Sequence, residues 1–143
     1  MDDVFAQLWQ HYLDSCFLLS QPLSSSLPFA IITAHNPLGQ VLEPCQNRLR
    51  DRALQGDIEQ LLVPYRIIIG TAADLSHMEK SWAVFVSKVQ AAELAKKYQQ
   101  NAFYYVADNV LSLVPCLAGV QEQQIGDFRQ RVRIVSELPE ICD

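Results

Sequence analysis

The residues best suited to chemistry stand in one short run, Thr33-Ala34-His35-Asn36-Pro37. The run ends an apolar stretch that we predict to be a strand, and ligands of α/β sheets tend to bind at strand ends. A hydroxyl, an imidazole and an amide thus precede a helix that is predicted to begin at Glu43. The unpaired backbone N–H groups at the start of a helix attract anions. These residues indicate a polar pocket floor for a small anionic ligand. A simple turn is the alternative, because Asn and Pro favour turns and Asn36 can cap its own loop.

Two further polar residues, Asn47 and Arg48, fall in the first turns of that helix. Arg48 and Arg52 are four residues apart and share a helix face. A guanidinium group can hold a carboxylate or phosphate through two hydrogen bonds. The same arginines could instead pair with acidic neighbours on a solvated face.

Catalytic patterns are weak. Neither a GxSxG nucleophile elbow nor a Gly-rich phosphate loop occurs in the sequence. His35 could act as a base, and His77 stands near Glu79, but neither has a partner at a diagnostic spacing. A hydrogen-bonded structural histidine is the alternative, so the sequence leaves open whether the protein is an enzyme.

The four cysteines stand at positions 16, 45, 116 and 142 and form no CxxC or CxxH pattern. Zinc sites use such spacings, so we expect no metal and no cofactor. Without a secretion signal we expect reduced thiols. Cys16 and Cys45 lie on the apolar stripes of predicted helices, which predicts that both are buried.

Composition narrows the class of protein. The chain has 143 residues, half of them hydrophobic, and a net charge of −5. This hydrophobic content excludes a disordered chain. The negative net charge argues against nucleic acid as a partner, because nucleic-acid binders are usually basic. The longest apolar run, residues 27–34, is far short of the roughly 20 residues of a membrane helix. The start, Met1-Asp2-Asp3, is unlike a signal peptide, and we expect a soluble, cytoplasmic protein without membrane contact.

Hydrophobic periodicity predicts an α+β fold. Leu8, Trp9, Tyr12 and Cys16 recur at helical spacing in an N-terminal helix over residues 1–17. Ser87 and Gln90 have the spacing of a capping box at the start of a later helix. The predicted core, residues 29–106, is strand 29–34, helix 43–54, strands 65–70 and 82–86, a helix after Ser87, and strand 102–106. This βαββαβ order is that of a ferredoxin-like plait.

The predicted sheet is apolar on both faces. Phe29 and Ile31 alternate with Ala30 and Ile32, so each side of that strand needs a cover. We predict that the N-terminal helix covers the face opposite the two core helices. Within residues 109–135 we expect one or two C-terminal strands, at 109–117 and 129–135, completing a single domain over 1–143.

The last predicted strand carries a basic row, Arg129, Arg131 and Arg133, opposite Val132 and Ile134. The row is the best sequence argument for a polyanionic partner. A charged edge strand that resists aggregation is the alternative.

Three short segments resemble a bacterial family known as domain of unknown function 3293. They are Phe29 to Pro37, similar to an ITAxNP strand end; Asn47-Arg48-Leu49; and Glu79-Lys80-Ser81 through Tyr98-Gln99-Gln100-Asn101-Ala102. The resemblance covers about residues 27–107 and implies no particular activity, cofactor or partner. It does imply a polar cluster of Thr33, Asn36, Pro37, Asn47, Arg48, Glu79, Ser81, Gln100 and Asn101.

We therefore expect a small binding or regulatory module for a small polar or anionic ligand. The predicted ligand-binding residues are Thr33, His35, Asn36, Asn47, Arg48, Glu79, Ser81, Gln100 and Asn101. One alternative is a hydrolase or transferase that acts on a phosphate- or carboxylate-bearing substrate. Another is an interaction module that binds a protein partner or a second copy through its C-terminal edge strand.

Overall fold

The protein is built on one mixed sheet, seen in a computed structural model that describes residues 3–24 and 26–141. Two short 3₁₀ helices, Pro37–Gly39 and Arg129–Arg131, lie in connections. The main elements in chain order are α1 (Asp3–Leu13), β1 (Cys16–Leu19), β2 (Phe29–Ile32), α2 (Pro44–Gln60), β3 (Tyr65–Thr71), β4 (Met78–Val84), α3 (Lys88–Lys97), β5 (Ala102–Ala107), β6 (Val110–Pro115), β7 (Gln123–Asp127) and β8 (Val132–Ile134). Among the described helices, none has the length and apolar character needed to cross a bilayer.

The eight described strands run in the order β7-β6-β5-β2-β4-β3-β1-β8. Neighbours are antiparallel except β1 and β8, which are parallel. The prediction of a ferredoxin-like plait with one or two added strands is wrong, because the sheet is a curled half-barrel. In the predicted plait β3 and β5 would be the edge strands, but here β1 pairs with β3 and β6 pairs with β5.

Helices α2 and α3 pack on one face of the sheet, which we call the helical face. Leu54 and Ile58 of α2 and Ala91 of α3 are fully buried against Ala30 and Val84 of the central strands. The capping box predicted at Ser87 is present, since Ser87 Oγ accepts from the Gln90 N–H. Both helices therefore cover the same side of β2.

The opposite side, the concave face, is covered mainly by the sheet itself. Phe17 of β1 and Leu111 of β6 lie five strands apart in the sheet order yet belong to one buried core, so the sheet curls toward this face. The Phe128 ring lies 5.8 Å from that of Phe17 and 5.4 Å from that of Phe29. Of the described α1 side chains, none belongs to this core, so the predicted cover by the N-terminal helix is not found among the described residues.

The N-terminal helix is also shorter than predicted. It ends at Leu13, and Cys16–Leu19 is a strand. The Arg131 guanidinium donates to the carbonyls of Leu13 and Ser15, at 2.7 and 3.0 Å, and so satisfies carbonyl groups at the helix end. The predicted basic row is not formed, because Arg129 and Arg131 lie in a 3₁₀ turn and only Arg133 lies in β8.

Asn109 fixes the Phe128 ring over the concave face. Asp108 and Asn109 have φ of 50° and 63° and form the tight turn between β5 and β6. The Asn109 carbonyl accepts from the Phe128 N–H at 2.8 Å. Its side chain accepts from the Arg129 N–H at 3.1 Å and donates to Asp127 Oδ1 at 2.7 Å.

Helix α2 exposes the stripe of Cys45 and Leu49 to solvent and buries Leu54 and Ile58 instead. Cys45 is exposed and Leu49 is 66% exposed, whereas Asn47, Asp51 and Leu54 are buried. The prediction that Cys45 is buried is therefore wrong, because the polar side chains on the inner face of α2 have hydrogen-bond partners in the core. Cys16 is half-buried, and Cys142 lies outside the described residues.

Truncating Leu54 and Leu49, two leucines of the same helix, tests this orientation. Leu54→Ala should lower the free energy of unfolding by about 2 to 5 kcal/mol, because it leaves a cavity in the core. Leu49→Ala should change it by no more than about 0.5 kcal/mol. Urea denaturation followed by circular dichroism measures both, and a larger loss at Leu49 would contradict the orientation of α2.

Candidate functional site

The amides of Asn36 and Asn47 bind each other where β2 ends and α2 begins. The Asn36 N–H donates to Asn47 Oδ1 at 3.0 Å, and Asn47 Nδ2 donates to Asn36 Oδ1 at 2.9 Å. Asn36 Oδ1 also accepts from the Leu42 N–H at 3.1 Å. Asn36 has a φ of 49°, a left-handed conformation that asparagine tolerates better than most residues. The two predicted site residues therefore meet as a reciprocal pair.

Glu79 and Thr33 extend this pair to β4. Asn36 Nδ2 donates to Glu79 Oε1 at 3.2 Å, and Thr33 Oγ1 donates to the Lys80 carbonyl at 2.8 Å. Glu79 Oε1 lies 3.3 Å from His77 Nε2, and this hydrogen bond raises the pKa of His77. The end of β2 is thus tied to the start of β4.

Gln100 and Arg50 tie the same end of β2 to α3. Gln100 Nε2 donates to the carbonyls of His35 and Tyr98, both at 3.1 Å. Arg50 Nε donates to the Ala34 carbonyl at 2.7 Å, and its Nη2 donates to the Tyr98 carbonyl. Arg50 is not among the residues predicted from the sequence, although its place three residues after Asn47 puts both on one side of the helix.

The other predicted residues are placed differently. Ser81 and Asn101 are buried, and the Asn101 side chain hydrogen-bonds the hydroxyl of Tyr12, whose pKa is raised by burial. Arg48 is exposed, whereas the adjacent Asn47 points inward. Arg52 is exposed as well, so both members of the predicted arginine pair lie on the solvent side of α2.

A second buried polar contact was missed at Asp51. Its Oδ1 accepts from Trp82 Nε1 at 2.9 Å, and its Oδ2 lies 2.9 Å from Lys80 Nζ. The Lys80 ammonium lies 4.8 Å from the centre of the Trp82 ring. In the part of the chain that the structure describes, no buried side-chain N or O atom lacks a hydrogen-bond partner. These polar groups therefore connect neighbouring strands and helices through hydrogen bonds. Their role in binding a ligand stays a prediction.

The concave face holds an apolar cavity of about 190 Å³. Its wall comes from β1, β2, β5, β8 and the connection that follows β1. The apolar lining residues are Leu19, Pro22, Leu23, Leu27, Phe29, Val106, Phe128, Val132 and Ile134, and the polar ones are Ser24, Asp108, Asn109 and Arg129. This cavity was not predicted from the sequence, because the lining residues converge only when the sheet curls.

A second hollow, of about 390 Å³, lies beside β3. Tyr65 and Trp82 line it together with polar residues such as Gln55 and Arg66. Trp82 is only 2% exposed and already binds Asp51, so it offers a ligand little surface. Over residues 3–24 and 26–141, no group of three or more His, Cys, Asp or Glu residues could hold a metal ion.

A double-mutant cycle tests the pairing of Asn36 with Asn47. Asn36→Gly keeps the left-handed backbone and removes the side-chain bonds, and Asn47→Ala leaves the Asn36 N–H without its acceptor. Each should lower the free energy of unfolding by about 1 to 3 kcal/mol. The double variant should lose less than the sum, with a coupling of about 0.5 to 3 kcal/mol in urea denaturation. Additive losses would contradict the pair.

The titration of His77 tests its contact with Glu79. The pKa of His77 measured by NMR should lie above the ordinary value near 6.5. Glu79→Gln should lower that pKa, whereas Asp74→Asn in the same loop should leave it raised. Because the native pKa is raised, the pair stabilises the fold fully below the unfolded pKa, and this stabilisation is lost as pH rises through the native pKa. An unchanged pKa in Glu79→Gln would refute the contact.

Comparison with known proteins identifies one family. Residues 32–103 match the family described as Protein of unknown function (DUF3293), which confirms the resemblance found in the sequence. This region runs from the end of β2 to the start of β5 and contains the Asn36–Asn47 pair, Glu79 and Gln100. Neither the curated proteins nor the solved structures contain a match to the chain. Because the match spans half of its length, the chain belongs to the DUF3293 family.

Proposed function

We propose that this protein is a binding module whose ligand is a small molecule with an apolar body, held in the cavity of the concave face. The observation that carries the proposal is the composition of that cavity, in which Phe29, Val106 and Phe128 form an apolar interior and the polar groups number only four. Small-molecule sites have this character: concave, mostly apolar, with a few polar groups that orient the ligand.

Exposed apolar side chains at the cavity support a ligand there. Leu27 is 55% exposed and Ile134 is 48% exposed, and both line the cavity. A ligand that covers them removes apolar surface from water, which contributes roughly 25 cal/mol per Å². The apolar body of the ligand therefore supplies the main binding free energy.

The polar cluster around Asn36 serves in this proposal as a frame. A ligand there would have to replace the hydrogen bonds that Asn36 and Asn47 make with each other. The same bonds fix the end of β2, and Phe29 at its other end lines the cavity. The polar or anionic group expected of the ligand then meets the cavity's polar residues rather than Arg48. The cytoplasmic location and the protein partner or homodimer expected from the sequence stay predictions.

Filling the cavity mouth tests the proposed function. Indole, a small apolar probe, should bind the wild-type protein when followed by NMR. Ile134→Trp should weaken that binding at least tenfold, because the new ring occupies the mouth. Val110→Trp is the matched control, since Val110 is 38% exposed on β6 and does not line the cavity. Equal binding of indole by all three proteins, or none by the wild type, would overturn the proposal.

A further inference from the structure

Two residues of opposite charge line the same cavity. Asp108 and Arg129 both line it, and both are exposed. No ion pair is formed by either side chain within the described residues, so they do not neutralise each other. The apolar interior is therefore bordered by an aspartate and an arginine whose side chains are both exposed and form no ion pair within the described residues.

The backbone that carries these charges is fixed. Asp108 adopts φ 50° in the tight turn before β6, and Arg129 begins the 3₁₀ turn before β8. Asn109 joins the two turns, since its side chain accepts from the Arg129 N–H at 3.1 Å. Its carbonyl also accepts from the Phe128 N–H at 2.8 Å. A frame of this kind lowers the ordering cost of binding.

We propose that the ligand is a zwitterion, a small amino acid with an apolar side chain. This inference rests on the proposed function and adds the chemical class of the ligand. The ligand carboxylate pairs with Arg129, whose planar group can donate two parallel hydrogen bonds. The ligand ammonium group pairs with Asp108, and the apolar side chain enters the cavity.

The size of the cavity and the charges at its border favour this class over others. A volume of about 190 Å³ is several times the roughly 30 Å³ of one water molecule, so a side chain the size of leucine is accommodated. A simple anion would bind Arg129 but meet the like charge of Asp108. A neutral apolar molecule would bind through the apolar interior alone and leave both charged residues without a partner. The zwitterion satisfies both charges.

Calorimetric titration with three related probes tests the inference. The probes are L-leucine, 4-methylpentanoate, which lacks the amino group, and isopentylamine, which lacks the carboxylate. L-leucine should bind the wild-type protein at least tenfold more tightly than either analogue.

Substitutions of the two charged residues test which group of the ligand each residue binds. Arg129→Gln should reduce L-leucine binding at least tenfold and leave isopentylamine binding unchanged. Asp108→Asn should weaken the binding of L-leucine and should not weaken the binding of 4-methylpentanoate. Arg133→Gln is the matched control, since Arg133 is exposed on β8 and does not line the cavity, and it should not alter any titration.

The inference and the proposed function fail in different ways. If L-leucine binds no more tightly than its two analogues, or if Arg129→Gln binds it as the wild type does, the zwitterion is refuted. Indole binding that is lost in Ile134→Trp would then still uphold the cavity as an apolar site. If indole does not bind either, both proposals fall.

Discussion

Strand β2 has to be buried on both sides, and the rest of the structure depends on this constraint. All four of its residues, Phe29–Ile32, are at most 3% exposed, and its two edges pair with β4 and β5. The helical face receives α2 and α3. Within the described residues, no side chain of an α-helix belongs to the core of the concave face, which is closed by the curl of the sheet and by the Phe128 ring. A curled sheet closed by one ring leaves space beside that ring, and the cavity lies there.

The polar network and the cavity are two consequences of the same central strand. The chain turns sharply at Asn36 after β2 ends, and the backbone groups of the buried residues Ala34 and His35 before that turn need partners. Asn47, Arg50 and Gln100 supply them from α2 and from the residues that follow α3. The network thereby holds one end of β2 rigid while Phe29 at the other end lines the apolar site. The family match covers the network, whereas all of the residues that line the cavity lie outside the matched region.

Local signals in the sequence were reliable, and signals that depend on distant pairing were not. The capping box at Ser87 was predicted correctly because its hydrogen bonds join residues three positions apart. Strand β1 was predicted as helix because Cys16 continues the helical spacing of Leu8, Trp9 and Tyr12, and only its pairing with β3 and β8 makes it a strand. The inner face of α2 was misjudged because Asn47 and Asp51 are buried only where distant partners satisfy them. The Asn36–Asn47 contact could be inferred from a strand end beside a helix start. The cavity could not be predicted, because its lining residues meet only through the curl of the sheet.

The most direct test of the account is the position of a bound probe. Intermolecular nuclear Overhauser effects between indole protons and assigned methyl groups report which side chains lie within a few ångströms of the ring. If the cavity on the concave face is the ligand site, indole contacts the methyl groups of Val106 and Val132, which line it. Contacts confined to the surroundings of Asn36 and Asn47, with none to Val106 or Val132, would contradict it.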